Sequence, residues 1–265
     1  MKKTNYPLTA IKIFMKNRIQ NRTYLFYDIF GMVSRCLIVF LLYGYVFRVN
    51  NGSINGVDYK TTLWSMFIYF AIMILNLRKL DSTIMNDVRS GNVEMFLNKP
   101  VDYVVYSFYR TIGEGIYSFC IIGMIGIIGM ILFCGIPEVN LLIFIPTFII
   151  TFILGAILAL LVYSVIGLLS FFMQDIRPVH WIVDKTVMVL GGSYLPVALF
   201  PPVLKVLAYI SPFGAINFAT STVYSSWNND FYIRILTQVI WIIAFTFILK
   251  FVYSKAKQKA MVNGG

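Results

Sequence analysis

Long apolar runs separated by short polar or proline-bearing gaps dominate the chain. Six of them, at about Tyr27 to Phe47, Leu63 to Leu77, Val105 to Phe133, Leu141 to Phe172, Trp181 to Phe200 and Ile235 to Phe251, predict membrane-spanning helices. A helix needs about 20 residues to cross a hydrocarbon core about 30 Å thick, because every backbone polar group must be paired internally there. The second run is short unless Thr61, Thr62 and the turns around Arg78 extend it, while the third and fourth are long enough to tilt or project beyond the bilayer. Ahead of the first span, Leu8, Ile11, Met15 and Ile19 recur at helical spacing opposite Lys12, Lys16, Asn17 and Gln20. That pattern predicts a basic amphipathic helix from Leu8 to Arg22 lying in the membrane interface. The expected architecture is an all-α integral membrane protein with a single transmembrane domain over residues 1–265, of which 1–24 form the interfacial lead.

Composition agrees: 59% of the 265 residues are hydrophobic and 12% charged, too apolar a balance for a soluble domain. Charge adds orientation. Of the 22 Lys and Arg, only Arg48, Lys60, Lys205 and Arg234 fall in gaps on one side of the spans, and Arg35 lies within the first. The rest gather on the other side, so the positive-inside rule puts both termini in the cytosol of a multi-pass plasma (cytoplasmic) membrane protein. The net charge of +11 is then accounted for by topology and by attraction to the anionic leaflet, with no nucleic-acid partner required. The first span follows some two dozen polar and basic residues and is longer than a signal core, so it is expected to stay in the mature protein.

Several chemistries lack their residues. His180 is the one histidine, which excludes a multi-histidine metal site or a histidine proton relay. Cys36, Cys120 and Cys134 lie in apolar runs without C-x-x-C spacing and read as small hydrophobes. No G-x-x-x-x-G-K-S/T sequence exists, so the chain has no P-loop for ATP. No catalytic constellation is legible, and an enzyme is not expected. Asn51-Gly52-Ser53 forms a glycosylation acceptor triplet, a pattern that also arises often by chance.

The gaps between spans carry the remaining information. Residues 78–104 contain a stretch too polar to cross the bilayer and too apolar to be a bare linker, with Ile84, Val88, Val93, Phe96 and Leu97 needing cover. Gly91 permits a sharp turn and Pro100 ends what precedes it, so a short helix, a turn and a second short helix fit this stretch. In residues 201–230, Pro201-Pro202 stops the fifth span, Val203 to Ile210 is too short to cross, and Pro212 breaks the chain again. Short re-entrant helices on the outer side are the expectation. Five charges fall inside the expected spans more than one residue from an end. Arg35 is about eight residues in, roughly 12 Å by helical rise and within snorkelling reach of the inner surface. Arg110 and Glu114 have i,i+4 spacing, and Asp184 and Lys185 lie in the first turns of the fifth span. They predict either a polar inner vestibule or a structural set of ion pairs.

Arg89-Ser90-Gly91 followed by Glu94, Leu97, Lys99 and Pro100 resembles the "I-R-x-G … L-L-x-P" segment of ABC type-2 exporter permeases, especially their small six-span bacterial branch. In the same order along the chain, Gly192-Ser193-Tyr194-Leu195-Pro196 with Phe200-Pro201, then Ser211-Pro212-Phe213, then Gln238 and Trp241, and the closing Gly264-Gly265, are similar to that branch. Gly192-Ser193 reverses the commoner Ser-Gly order. The resemblance covers nearly the whole chain. It implies a permease subunit without ATPase activity of its own, paired with a second permease, here expected to be a different six-span protein and otherwise a second copy of this one, above two copies of an ATPase that binds ATP and Mg. It implies that the loop after span two couples to the ATPase through Val88, Arg89, Gly91, Glu94, Phe96, Leu97 and Pro100. An outer gate would be formed by Tyr194, Pro196, Phe200, Pro201, Pro212 and Phe213. The apolar, aromatic spans suit an amphipathic or lipid-like cargo such as a drug, peptide antibiotic or lipid. An ion-gradient carrier or channel is the rival class, against which stand the expected lack of acids and bases in the outer halves of the spans and of any internal repeat.

Overall fold

The computed structural model describes residues 6–20, 22–93, 102–224 and 227–263. Over these the protein is an all-helical membrane bundle whose one sheet is a two-stranded hairpin. Five stretches are long and apolar enough to cross a bilayer: Thr23–Val49, Tyr59–Arg89, Tyr103–Cys134, Leu141–Phe171 and Asp230–Lys259. Each overlaps one expected span. The remaining expected span, Trp181 to Phe200, is divided. Helix α7 (Arg177–Leu190) has 14 residues, about 21 Å at ~1.5 Å per residue. It stops at Gly191, followed by Gly192 at φ +86°, a left-handed backbone that a helix cannot continue through. A short 3-10 turn, Val197–Leu199, completes the path to Phe200.

The other elements follow from their termini. α1 (Tyr6–Gln20) precedes α2 (Arg22–Val49). A hairpin of β1 (Ser53–Ile54) and β2 (Val57–Asp58) turns through Asn55 and Gly56, both at positive φ, as a tight two-residue hairpin loop requires. Asp58 then caps α3 (Tyr59–Ile74), accepting from the Thr61 amide at 3.0 Å. At Asn76, φ +54°, the chain kinks into a 3-10 turn, Leu77–Lys79, and re-enters a helix as α4 (Leu80–Arg89). Asp102 caps α5 (Tyr103–Cys134) and Asn140 caps α6 (Leu141–Leu168), each satisfying amides that a helix N-terminus leaves free. α8 (Pro202–Ile210) and α9 (Pro212–Ala215) each begin on a proline. α10 (Trp227–Asn263) is the last and longest helix. The expected sixth span began at Ile235, so the helix starts earlier than expected and takes Asp230 and Arg234 into itself.

The main core is formed where α6 packs against α10 and α4, with Leu80, Ile84, Leu158 and Leu168 fully enclosed. A second cluster joins α2, α3 and α5 around Phe47, Met66 and Tyr69. α1 differs from its expected register. Leu8 is 58% exposed and Ile19 38%, whereas Ala10 is buried and Phe14 meets Tyr106 of α5 edge-on at 5.7 Å. The packing face is set by Gly113, where a Cβ would lie 2.8 Å from the Ile11 carbonyl and from Phe14 Cβ. α1 is therefore docked on α5, and Arg18 fastens it to Asp28 of α2 at 2.9 Å.

Candidate functional site

Past the kink at Asn76, the second stretch ends in α4, a helix anchored on several sides. α4 lies against the end of α6, where a Cβ on Gly167 would meet Ile84 Cβ at 2.8 Å. Val88 is partly buried against the main core. The polar residues of the kink and α4 reach separate neighbours. Asp81, fully buried, pairs with Nδ1 of His180 on α7. Arg78 meets Asp184 of α7 at 3.4 Å, and the Tyr163 hydroxyl of α6 donates to the same carboxylate at 3.3 Å. Asp87 accepts from the Tyr103 hydroxyl at 2.9 Å and faces Arg110 at 3.4 Å on α5, while Arg110 also pairs with Glu114 at 3.3 Å. Arg89 donates to the Gln174 carbonyl and lies 3.8 Å from Asp175. Hydrogen bonds from Arg177 hold the Asp175 carboxyl down at about 2, so it remains an anion for Arg89 at any neutral pH. Gly91, at φ +72°, makes the expected turn, and Val93 after it is buried. Glu94, Phe96, Leu97 and Pro100 lie outside the described residues.

At the opposite side the chain between the fifth and sixth expected spans folds back into the bundle. The Ile216 carbonyl sits so close to Gly155, near the midpoint of α6, that a Cβ there would be 2.3 Å away. Irregular backbone at such depth needs donors for its carbonyls, and spanning helices supply them. Trp241 Nε1 donates to the Ile210 carbonyl at 2.7 Å, Gln238 Nε2 to those of Ala215 and Thr151 at 2.9 and 3.0 Å, and the Ser65 hydroxyl to that of Thr220 at 2.8 Å. Arg234, 7% exposed, pairs with Asp230 at 3.0 Å and lies over the Tyr209 ring at 3.6 Å. Its inclusion in α10 corrects the expectation that the outer halves of the spans hold no acid or base. Of the expected gate residues, Phe200 packs with Val197 and Ala208, Pro196 caps the 3-10 turn, Pro201 and Pro212 start α8 and α9, and Phe213 packs on the main core. Tyr194 is exposed, and its carbonyl accepts from the Tyr43 hydroxyl of α2 at 2.9 Å.

The five expected intramembrane charges divide. Arg110 and Glu114 belong to the α4–α5 contact. Asp184, with Arg78, borders a cavity of about 60 Å³ between α3, α6 and α7. Arg35 and Lys185, again with Arg78, line a separate groove of about 370 Å³ between α2, α3 and α7. Because α2 begins earlier than expected, Arg35 lies near the middle of its helix. Sequence reasoning singled out Gln238 and Trp241 only by resemblance, and missed Arg78, Asp81, Asp87, Tyr163, His180 and Arg234 as contact-forming groups. Asp81 and His180 are 99 positions apart, and no local pattern joins them.

A multi-pass helical bundle with a broken fifth segment, a returning loop and a braced helix defines an integral membrane protein. The family described as ABC-2 family transporter protein matches residues 33–262, and the chain belongs to it. A search of curated proteins gives no match.

Proposed function

We propose that this ABC-2 permease subunit forms half of the translocation pathway of an ATP-driven exporter for amphipathic or lipid-like cargo. The observation that supports this reading best is the bracing of α4. Its charged residues and the adjoining kink contact α5, α7 and the 174–175 loop, and Ile84 packs on α6 at Gly167, so a push on this helix moves four elements together. Rigid-body transmission is what coupling to a separate motor needs. On this reading an ATPase, two copies binding ATP and Mg, docks beneath α4 and the turn at Gly91, with Glu94, Phe96, Leu97 and Pro100 continuing the contact. The termini are cytosolic, and a second six-span permease, different from this one, completes the pore. The segment braced by Gln238, Trp241 and Ser65 is its outer gate.

The chain should be tagged, co-expressed with ATPase subunits encoded beside it, and purified in nanodiscs. Capture of an ATP-hydrolysing subunit, lost when Glu94→Lys and Leu97→Asp are introduced together, is the expected outcome. A chain that purifies without any of them would overturn the proposal.

A further inference from the structure

The groove between α2, α3 and α7 has two kinds of wall. Ile38, Val39 and Leu42 of α2, Met66, Phe70 and Met73 of α3, and Met188 of α7 make it apolar along its length. Arg35, Arg78 and Lys185 open into it from three different elements. The charges do not cancel. Asp184 reaches Arg78 at 3.4 Å, and Lys185 meets the Met188 sulfur at 3.7 Å. Among the described residues no carboxylate pairs with Arg35 or Lys185. Tyr43 and Tyr194, joined by a hydrogen bond, also line it.

Cations near the middle of a membrane protein are costly unless they meet an anion or water, and they mark substrate paths by default. An apolar trough with two uncompensated cations in its wall is complementary to one chemistry. We propose that the groove binds an anionic amphiphile: Arg35 and Lys185 hold its phosphate or carboxylate, and the α2, α3 and Met188 side chains hold its hydrocarbon. Granted the permease reading, this names the class of cargo. Arg78, already neutralised by Asp184, borders the headgroup without being its main partner. The bidentate guanidinium of Arg35 fixes the orientation of the acid group, and the Lys185 ammonium adds a point charge.

The test uses the purified full-length chain in phosphatidylcholine nanodiscs and a fluorescent single-chain alkyl phosphate as probe. Saturable binding is expected, weakened about tenfold or more by Arg35→Gln and by Lys185→Gln, as loss of a charge-assisted contact implies. Arg35→Lys should recover part of the affinity, which separates lost charge from lost folding, and both Gln variants should elute as the parent does. Gly129→Leu, in the purely apolar groove between α2, α3 and α5, should leave binding unchanged. A trimethylammonium amphiphile of equal chain length should bind at least tenfold more weakly, and inorganic phosphate should not compete at concentrations that saturate the alkyl phosphate. Equal binding of the cationic amphiphile, equal competition by inorganic phosphate, or unchanged affinity in both Gln variants would overturn the proposal. No ATPase is needed for this measurement, so an exporter that captures its ATPase yet shows no anion preference loses only the cargo assignment.

Discussion

The Asp81–His180 contact decides how firmly the fifth segment is tied to the second. Asp81 is fully enclosed, and the imidazole, about one-third exposed, is its side-chain partner. Removing the ring leaves a buried carboxyl without this hydrogen-bond partner, at a cost of roughly 1–3 kcal/mol. His180→Leu should therefore lower the detergent unfolding temperature markedly. Asp81→Asn with His180→Gln, which leaves two neutral groups able to hydrogen-bond, should recover most of the loss. Thermal unfolding followed by intrinsic Trp fluorescence separates the cases, and equal destabilisation by the single and double changes would show that the ring acts through packing alone. His180 had stood out in the sequence only as a lone histidine that ruled out metal and relay chemistry. Its partner was invisible because the kink at Asn76, which turns Asp81 toward α7, depends on a left-handed backbone that no periodicity announces.

At the scale of elements, the proposed coupling requires that α4 stay seated on α6, and Gly167 is where the two come closest. Gly167→Leu would push a side chain against Ile84 and the Asp81 backbone, both within about 3 Å of the missing Cβ, in a close-packed region with no slack. The expected outcome is a complex that still captures its ATPase and hydrolyses ATP while cargo export falls. Transport and ATPase rates measured in the same proteoliposomes check it, and loss of both activities in proportion would place the defect elsewhere. Elements of this kind were partly legible. The spans showed because hydrocarbon tolerates only long apolar runs, and the returning segment showed because Pro201, Pro202 and Pro212 cannot sit inside a helix ladder. What the pattern did not show is that the second span continues through the kink to Arg89, or that the fifth breaks at Gly191. Both depend on a few backbone angles and on close contacts with distant segments, such as Asn217 against Gly191.

The whole molecule leaves one face incomplete. Leu37, Ile38, Leu41, Leu42 and Tyr45 of α2 and Trp181 and Ile182 of α7 are all more than half exposed, which lipid alone would satisfy. Arg35 changes that, because it lies on the same stretch of α2, exposed, and near the middle of the helix. Presenting an arginine to lipid there costs at least about 2.5 kcal/mol, so a protein surface or cargo should cover this face in the working assembly. The hydrophobic residues around Leu142, 87% exposed at the start of α6, carry no such charge and suit lipid. A photo-crosslinking amino acid at Leu41 or Ile182 should therefore link the chain to a second permease in membranes, while the same group at Leu142 should capture lipid. Mass spectrometry of the crosslinked band would identify the partner. Capture of a second copy of this chain would replace the two-permease arrangement with a symmetric one, in which each groove faces its equivalent across a two-fold axis. Lipid capture at all three positions would show that Arg35 reaches the membrane surface by snorkelling.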